Sequence, residues 1–228
     1  MMEPLNFPSW RRYKDLFFPK TGQFSILRIL QYEVLRGTEF KGKVLDFGGG
    51  GNADYHKFVA FDSYESVNID TSMEPTWLTS VGQDLPCPQG HYDVALSMNT
   101  FEHIFDARFS LGQLFKVLKS GGRLVCATPF LYPIHAYPQD YFRPTDMWWR
   151  ETLQEIGFVD IKVTPLLWGP FSTGLVCSGI PGPFKTLRLH CALLKDWLYV
   201  WLGLRLGKKF VGDLPFSSLG FFIEATKR

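Results

Sequence analysis

The sequence predicts an α/β fold built on a mostly parallel sheet, and three observations predict it. Short apolar runs alternate with stretches of helical periodicity, the first run leads into four consecutive glycines at 48–51, and carboxylates stand near the ends of the first two runs at Asp46 and Asp70. Strands separated by helices must run parallel, joined by right-handed crossovers, and that places a binding crevice at their carboxyl ends. At 228 residues the chain suits one such domain with decorations.

Composition narrows the function. A net charge of +2 is too small for the basic excess of a nucleic-acid binder, so no nucleic-acid partner is expected. Aromatic residues make up 16% of the chain, which calls for broad stacking or apolar surfaces. Cys87, Cys126, Cys177 and Cys191 are scattered, with no zinc-ligand spacing, and read as reduced, mostly packed thiols. Pro4 and Pro8 break any signal helix, so a cytoplasmic protein is the expectation.

Residues 1–40 read as an irregular aromatic and proline-rich lead followed by a helix over 24–35 ended by Gly37, and residues 41–228 as the main domain. Strands are predicted at 43–47 (KVLDF), 66–69 (SVNI), 92–97 (YDVALS) and 123–127 (RLVCA). Between the last two, Phe109, Leu111, Leu114, Phe115 and Leu118 recur at helical spacing over 107–118, with Lys119-Ser-Gly-Gly as the stop. Two more strands, at 159–163 and 221–225, flank a stretch rich in Gly, Pro and apolar residues, an insertion over about 166–215.

The first strand runs into Asp46-Phe-Gly-Gly-Gly-Gly-Asn52, where Gly48 and Gly50 let the backbone turn sharply and approach a ligand, so a side chain at Gly48 is not expected to be tolerated. Gly48, Gly50 and Ala53 also satisfy the dinucleotide fingerprint G-x-G-x-x-A. The second strand ends at Asp70, whose carboxylate can accept hydrogen bonds from ribose hydroxyls or cap the turn of Thr71 and Ser72. Gln83-Asp84-Leu85-Pro86 precedes the next strand, and Ser97-Met-Asn99-Thr-Phe-Glu-His103 follows it.

In that order, D-x-G-x-G, the Asp, D-L-P, the Y-D-V strand with E-H-I and L-K-S-G-G-R-L, the motifs resemble class I S-adenosylmethionine-dependent methyltransferases. The resemblance implies a Rossmann-like fold with a seven-stranded sheet and helices on both faces, and S-adenosyl-L-methionine as cofactor. It assigns Asp46, Gly48 and Gly50 to the methionine end, Asp70 to the ribose, Asp84 with Leu85 to the adenine, and Asn99 to the wall near the sulfonium. Asn52 in place of the usual third glycine, and Gly49 between the first two, depart from the pattern and imply a looser loop. Residues 128–145 (TPFLYPIHAYPQDYFRPT) are similar to a methyltransferase type 11-like bacterial subfamily with a P-x-H-x-x-P-x-D-Y-x-R segment, several of whose members are found with polysaccharide or glycan biosynthesis.

That segment is the candidate acceptor side. Prolines stiffen it, His135 offers a base with Asp140 second in line, Tyr141 a wall and Arg143 an anion clamp; alternatively Asp140 and Arg143 merely pair. Glu102 and His103 are expected to orient the loop, and no metal is required. The resemblance implies a small-molecule acceptor, a sugar or glycan-pathway intermediate, while the residues themselves do not identify it. A nicotinamide-dependent dehydrogenase would share Gly48, Gly50, Ala53 and Asp70, and a scaffold protein that binds the cofactor without turnover stays open. Residues 187–206, apolar but broken by Arg188, Lys195, Asp196 and Arg205, do not span a membrane; they suit a lid, a homodimer interface or a peripheral membrane contact flanked by Lys185, Lys208 and Lys209.

Overall fold

The computed structural model describes residues 6–18, 23–135, 139–207 and 214–228; Pro4, Pro138, Lys208 and Lys209 lie outside the described residues. Seven strands form one sheet: β1 (Thr38–Phe47), β2 (Val59–Asn68), β3 (Trp77–Leu78), β4 (Tyr92–Met98), β5 (Leu118–Pro129), β6 (Phe158–Leu166) and β7 (Gly220–Lys227). Their order is β3-β2-β1-β4-β5-β7-β6. The pairs β1 with β2, β1 with β4, β2 with β3 and β4 with β5 are all parallel. The chain moves outward from β1 to β3 and then returns to β4 on the other side of β1, so the point where strand order reverses lies between the carboxyl ends of β1 and β4.

The predicted strands exist and are longer than their apolar centres. β1 and β2 begin early because Thr38 to Phe40 pair with Val59 to Phe61, with a register shift before Lys43, and these mixed residues carry no clean alternation. β5 also starts early: Tyr92 pairs with Leu118 but Val94 with Arg123, so three extra residues are absorbed around Gly121, whose φ of +76° only glycine adopts readily. Lys119-Ser-Gly-Gly therefore forms the irregular start of a strand, and the preceding helix α3 (Ala107–Val117) already stops at Val117.

The chain divides into two compact units by internal contacts, one of residues 35–128, 135–163 and 222–228, the other of residues 1–34, 129–134 and 164–221. In the first, Val44, Leu45, Ala95, Leu96, Leu124, Val125 and Cys126 are buried along the central strands, with Leu111, Leu114 and Val117 of α3. Phe109, although in the predicted apolar set, is 36% exposed. The unit also contains α4 (Asp146–Ile156), started by Thr145 accepting from the Trp148 amide at 3.2 Å and ended by Gly157 at φ +112°.

In the second unit the aromatic lead is ordered as α1 (Trp10–Phe17), capped by Ser9, and it is followed by α2 (Ile26–Leu35). Tyr13, Leu16 and Phe17 share one face at i, i+3 and i+4. Phe17 meets the buried Trp168 edge-on at 4.8 Å, and the Tyr13 hydroxyl lies 2.8 Å from His190 Nδ1. The insertion is helical: α5 (Pro170–Cys177) and α6 (Lys185–Leu206). Asp196 of α6, fully buried, accepts from the Phe171 and Ser172 amides at 2.8 Å each, supplying the cap that Gly169 has no side chain to give. Asp196→Ala is expected to cost about 2 kcal/mol by stranding both donors, and Asp196→Asn less; denaturant unfolding reads the difference.

Among the described residues no helix is long and apolar enough to cross a membrane. The outer side of α6 nevertheless leaves Leu198, Trp201, Leu202 and Leu204 exposed, with Arg205 stacked 4.0 Å over the Trp201 ring. The cysteines are all unpaired, Cys87 and Cys126 buried and Cys177 and Cys191 exposed, so only half are packed thiols.

Candidate active site

The glycine turn sits where the strand order reverses and is pinned on three sides. The Gly48 amide donates to the Val67 carbonyl at 2.9 Å, and the Asn68 side-chain amide donates to the carbonyls of Gly48 and Gly49 at 3.0 and 2.9 Å. A Cβ at Gly48, where φ is +85°, would stand 2.3 Å from the Thr100 methyl; one at Gly49 2.0 Å from the Asp46 carboxylate; one at Gly50 2.4 Å from the Met73 carbonyl. Only Gly51 has open space. The looser loop implied by Gly49 and Asn52 is thus not what forms. Gly49 is required because Asp46 lies beneath it, and Asn68, twenty residues away, supplies the hold.

Asp46, at the end of β1, is fully buried. Its Oδ2 accepts from the Tyr64 hydroxyl at 2.7 Å and from the Tyr55 hydroxyl. Burial first, and then the Asp46 charge, drives the Tyr64 pKa well up. Asp46 Oδ1 has no hydrogen-bond partner among the described residues.

Asp70 lies two residues beyond β2 and caps the short turn Thr71–Met73, its Oδ1 accepting from the Ser72 amide at 2.8 Å. Those hydrogen bonds from Ser72 hold its carboxyl below the usual range. Asp84 is exposed in the loop before β4 and accepts from Gln113 Nε2 of α3 at 2.6 Å, with Leu85 half-buried beside it. Asn99 follows β4 in a left-handed conformation, φ +55°, uncommon for a residue with a side chain, and its amide donates to the Ala127 carbonyl of β5 at 2.8 Å. Ser97 and Thr100 both donate to the Phe47 carbonyl, at 3.0 and 3.2 Å, which ties the end of β4 to the end of β1.

The proline-stiffened segment is held to the next turn, Phe101–His103. The Tyr141 amide donates to the Glu102 carbonyl at 2.8 Å, and His103 Nδ1 lies 2.5 Å from the Gln139 carbonyl. Asp140 and Arg143 pair in both positions of the guanidinium fork, Nη2 to Oδ2 at 2.5 Å, and Asp140 also accepts from the His135 amide at 2.9 Å. The guanidinium lowers the Asp140 pKa to about 2, so this carboxylate is committed and a poor proton acceptor. Arg143 is equally committed, its Nη1 donating also to the Phe142 carbonyl at 3.0 Å. Tyr141 is half-exposed, edge-on to Phe105 at 5.5 Å. His135 keeps 40% of its side chain exposed, with Nε2 3.8 Å from Glu102 Oε1 and Nδ1 3.4 Å from Asp140 Oδ2.

Sequence reasoning misses Asn68, Thr100, Tyr55, Tyr64 and Gln113, because none has a local signal. Tyr64 reaches Asp46 only through the β1–β2 register, which sets Asp46 against Ser66 and Val44 against Tyr64.

A strand order that reverses between β1 and β4, with a bare glycine turn over a buried acid at that point, places the chain among the doubly wound α/β folds that bind a cofactor at the reversal. The family model described as a methyltransferase domain matches residues 15–160, and the chain belongs to that family. Among solved structures it is similar to a methyltransferase of Haloferax volcanii in complex with the Trm112 methyltransferase activator, 15% identical over 95% of this chain and 92% of that one, TM-score 0.54. An S-adenosylmethionine-dependent methyltransferase of Mesorhizobium loti is 13% identical over 88% and 98%, TM-score 0.51. A phosphoethanolamine N-methyltransferase of Haemonchus contortus, solved with phosphomonomethylethanolamine and S-adenosylhomocysteine, is 13% identical over 93% of this chain, TM-score 0.50. The chain spans 60% of that enzyme's length. No curated protein sequence matches.

S-adenosyl-L-methionine is the cofactor of this family member. The residues present fit it: Gly48 to Gly50 carry no side chains of their own, and one buried oxygen of Asp46 has no hydrogen-bond partner among the described residues. The family match displaces the dehydrogenase reading, whose glycine fingerprint the same turn satisfies.

Proposed function

We propose that this methyltransferase alkylates a hydroxyl of a small acceptor, a sugar or an intermediate of glycan assembly, held against His135 and the residues from Gln139 to Arg143. The observation that carries the reading is the fixing of that segment to the carboxyl end of β4, two residues past Thr100, which itself packs on the glycine turn. The resemblance of the P-x-H-x-x-P-x-D-Y-x-R segment to glycan-associated methyltransferases supports the acceptor class.

When bound, the cofactor supplies an activated methyl on a sulfonium, so the protein's work is alignment and exclusion of water. Asp46, Gly48 and Gly50 take the methionine end, Asp70 the ribose hydroxyls, Asp84 and Leu85 the adenine, and Asn99 walls the sulfonium side. His135 handles the acceptor's proton, Asp140 orients it, and Arg143 keeps Asp140 ionised and in place. Tyr141 offers a flat apolar wall for a sugar ring.

A screen of nucleotide sugars and lipid-linked sugars for S-adenosylhomocysteine release tests the acceptor class; turnover only on amine or carboxylate acceptors would overturn it. Asp70→Ala is expected to weaken cofactor binding by about one to two orders of magnitude. Since Asp70 also caps a turn, Asp70→Asn is the control: it keeps the cap but loses the charge-assisted bonds, and calorimetry should place it nearer the alanine variant than the parent.

The exposed row on α6 is proposed as a peripheral contact with a membrane surface, where lipid-linked acceptors reside. The parent should float with anionic vesicles at low salt and Trp201→Glu with Leu198→Glu should not. Trp197 is unsuited to this test, because it packs 5.9 Å from Trp10.

A further inference from the structure

Glu102 presents a problem that the cofactor site does not solve. Its side chain is fully buried, and neither carboxylate oxygen has a hydrogen-bond partner among the described residues. An ion buried in this way costs several kcal/mol unless a positive charge compensates it. The Arg143 guanidinium supplies part of that charge at a distance, without a hydrogen bond, and a pair of imidazoles faces one oxygen directly: His103 Nε2 lies 3.7 Å from Glu102 Oε1 and His135 Nε2 3.8 Å from the same oxygen, with the two rings edge-on at 5.3 Å. One ligand atom from each of the three residues falls within 4.8 Å of the others.

We propose that Glu102, His103 and His135 form a binding site for a divalent transition-metal ion. Two imidazoles and one carboxylate are a donor set for Zn²⁺, Mn²⁺ or Fe²⁺, whereas Mg²⁺ and Ca²⁺ prefer all-oxygen surroundings. Metal–ligand lengths near 2.0–2.2 Å call for ligand atoms about 3 to 3.5 Å apart, so the cluster must close by roughly an ångström. His135 has 40% of its side chain exposed, against 18% for His103 and none for Glu102, so the closure falls mainly on its side.

The outer contacts favour ligation. His103 Nδ1 lies 2.5 Å from the Gln139 carbonyl, which can only accept a hydrogen bond, so Nδ1 donates and Nε2 faces the Glu102 side as the ligating nitrogen. His135 Nδ1 lies 3.4 Å from Asp140 Oδ2 and 3.5 Å from Arg143 Nη2; the ionised carboxylate can accept a hydrogen bond from the ring and orient it as in carboxylate–histidine–metal arrangements. The Asp140–Arg143 pair acquires a purpose in this way, as the support of a ligand. Glu102 and His103, expected only to orient a loop, become the fixed part of the site, and the expectation that no metal is required is replaced.

Three protein ligands leave coordination positions for water or for an acceptor oxygen. The site deepens the reading of methyl transfer to a hydroxyl, on which this consequence rests: an acceptor hydroxyl bound to the ion would pass its proton to solvent water more readily, and His135 would serve by holding the ion. The cluster is two residues from Thr100, the side chain against Gly48, so ion and cofactor turn share one edge of the sheet.

Metal binding is measured on the untagged full chain, without cofactor or acceptor, after chelation and dialysis. Calorimetric titration with Zn²⁺ should give one ion per chain with a micromolar or tighter Kd, with Mg²⁺ much weaker, and Co²⁺ should give a visible absorption band from a nitrogen–oxygen site. Glu102→Gln and His135→Ala should each weaken Zn²⁺ binding by at least about 100-fold and abolish the Co²⁺ band, and Asp140→Asn should weaken it by about 10-fold. Circular dichroism and melting confirm that each variant folds; His135→Ala, at a half-exposed position, is the safeguard if Glu102→Gln does not. Absence of tight Zn²⁺ binding overturns the proposal, as does binding unchanged in folded Glu102→Gln and His135→Ala, which would place the ion elsewhere. An imidazolium pair compensating Glu102 gives the first of these results. A separate titration with S-adenosylhomocysteine reports on the methyltransferase reading, so either can fail alone.

Discussion

Gly48→Val is expected to abolish S-adenosylmethionine binding and to destabilise the fold by about 2 to 5 kcal/mol, combining left-handed strain with overpacking. The turn is crowded from the protein side before any ligand arrives: φ is +85°, and the new Cβ would stand 2.3 Å from the Thr100 methyl and 2.4 Å from its hydroxyl. Adding Thr100→Ala removes those two atoms and should recover part of the stability, yet cofactor binding should stay lost because the side chain still covers the backbone. Gly51→Ala, with nothing within 4 Å, should leave both quantities near the parent. Calorimetry for binding and urea unfolding for stability check the set. Normal binding by Gly48→Val would mean that the turn does not cradle the cofactor.

His135→Ala is expected to lower turnover on a hydroxyl acceptor by about two to four orders of magnitude while leaving cofactor affinity nearly unchanged. The reason is positional. His135 is at the acceptor segment, with Nε2 3.8 Å from Glu102, whereas the atoms nearest the glycine turn belong to Thr100, Asp46 and Met73. Asp140→Asn should reduce turnover less, since it weakens the orientation of the ring without removing it. An acceptor that ionises unaided would show the His135→Ala effect in KM more than in kcat, and near-parental kcat on a hydroxyl acceptor would remove His135 from the chemistry.

The sheet was largely legible because buried parallel strands are written as local apolar runs ended by turn residues. KVLDF before the glycines and YDVALS before Asn99 need no knowledge of the rest of the chain. What escaped is short or context-dependent: β3 is two residues long, and the amino-terminal halves of β1 and β2 are mixed in polarity and defined only by pairing with one another. α1 was hidden by the prolines ahead of it, though Ser9 and the Tyr13, Leu16, Phe17 spacing were present. In the site, the glycines and Asp46 could be read from the turn they make. Their fastenings, Asn68, Tyr55, Tyr64 and Thr100, could not, since they lie 9 to 53 residues away and meet them only through register. The Glu102–His103 pair was visible as a dipeptide, but its burial beside His135 is a fact of three dimensions.

The packing of α1 has a consequence for the nascent chain. The Tyr13 hydroxyl meets a histidine 177 positions later, and Phe17 rests on Trp168. Arg12 can find Glu33 soon after both leave the ribosome, only 21 positions apart. The apolar side of the helix must wait. At elongation rates of about 5 to 20 residues per second, it stays uncovered for roughly ten to thirty-five seconds of synthesis, long enough for a chaperone to occupy it.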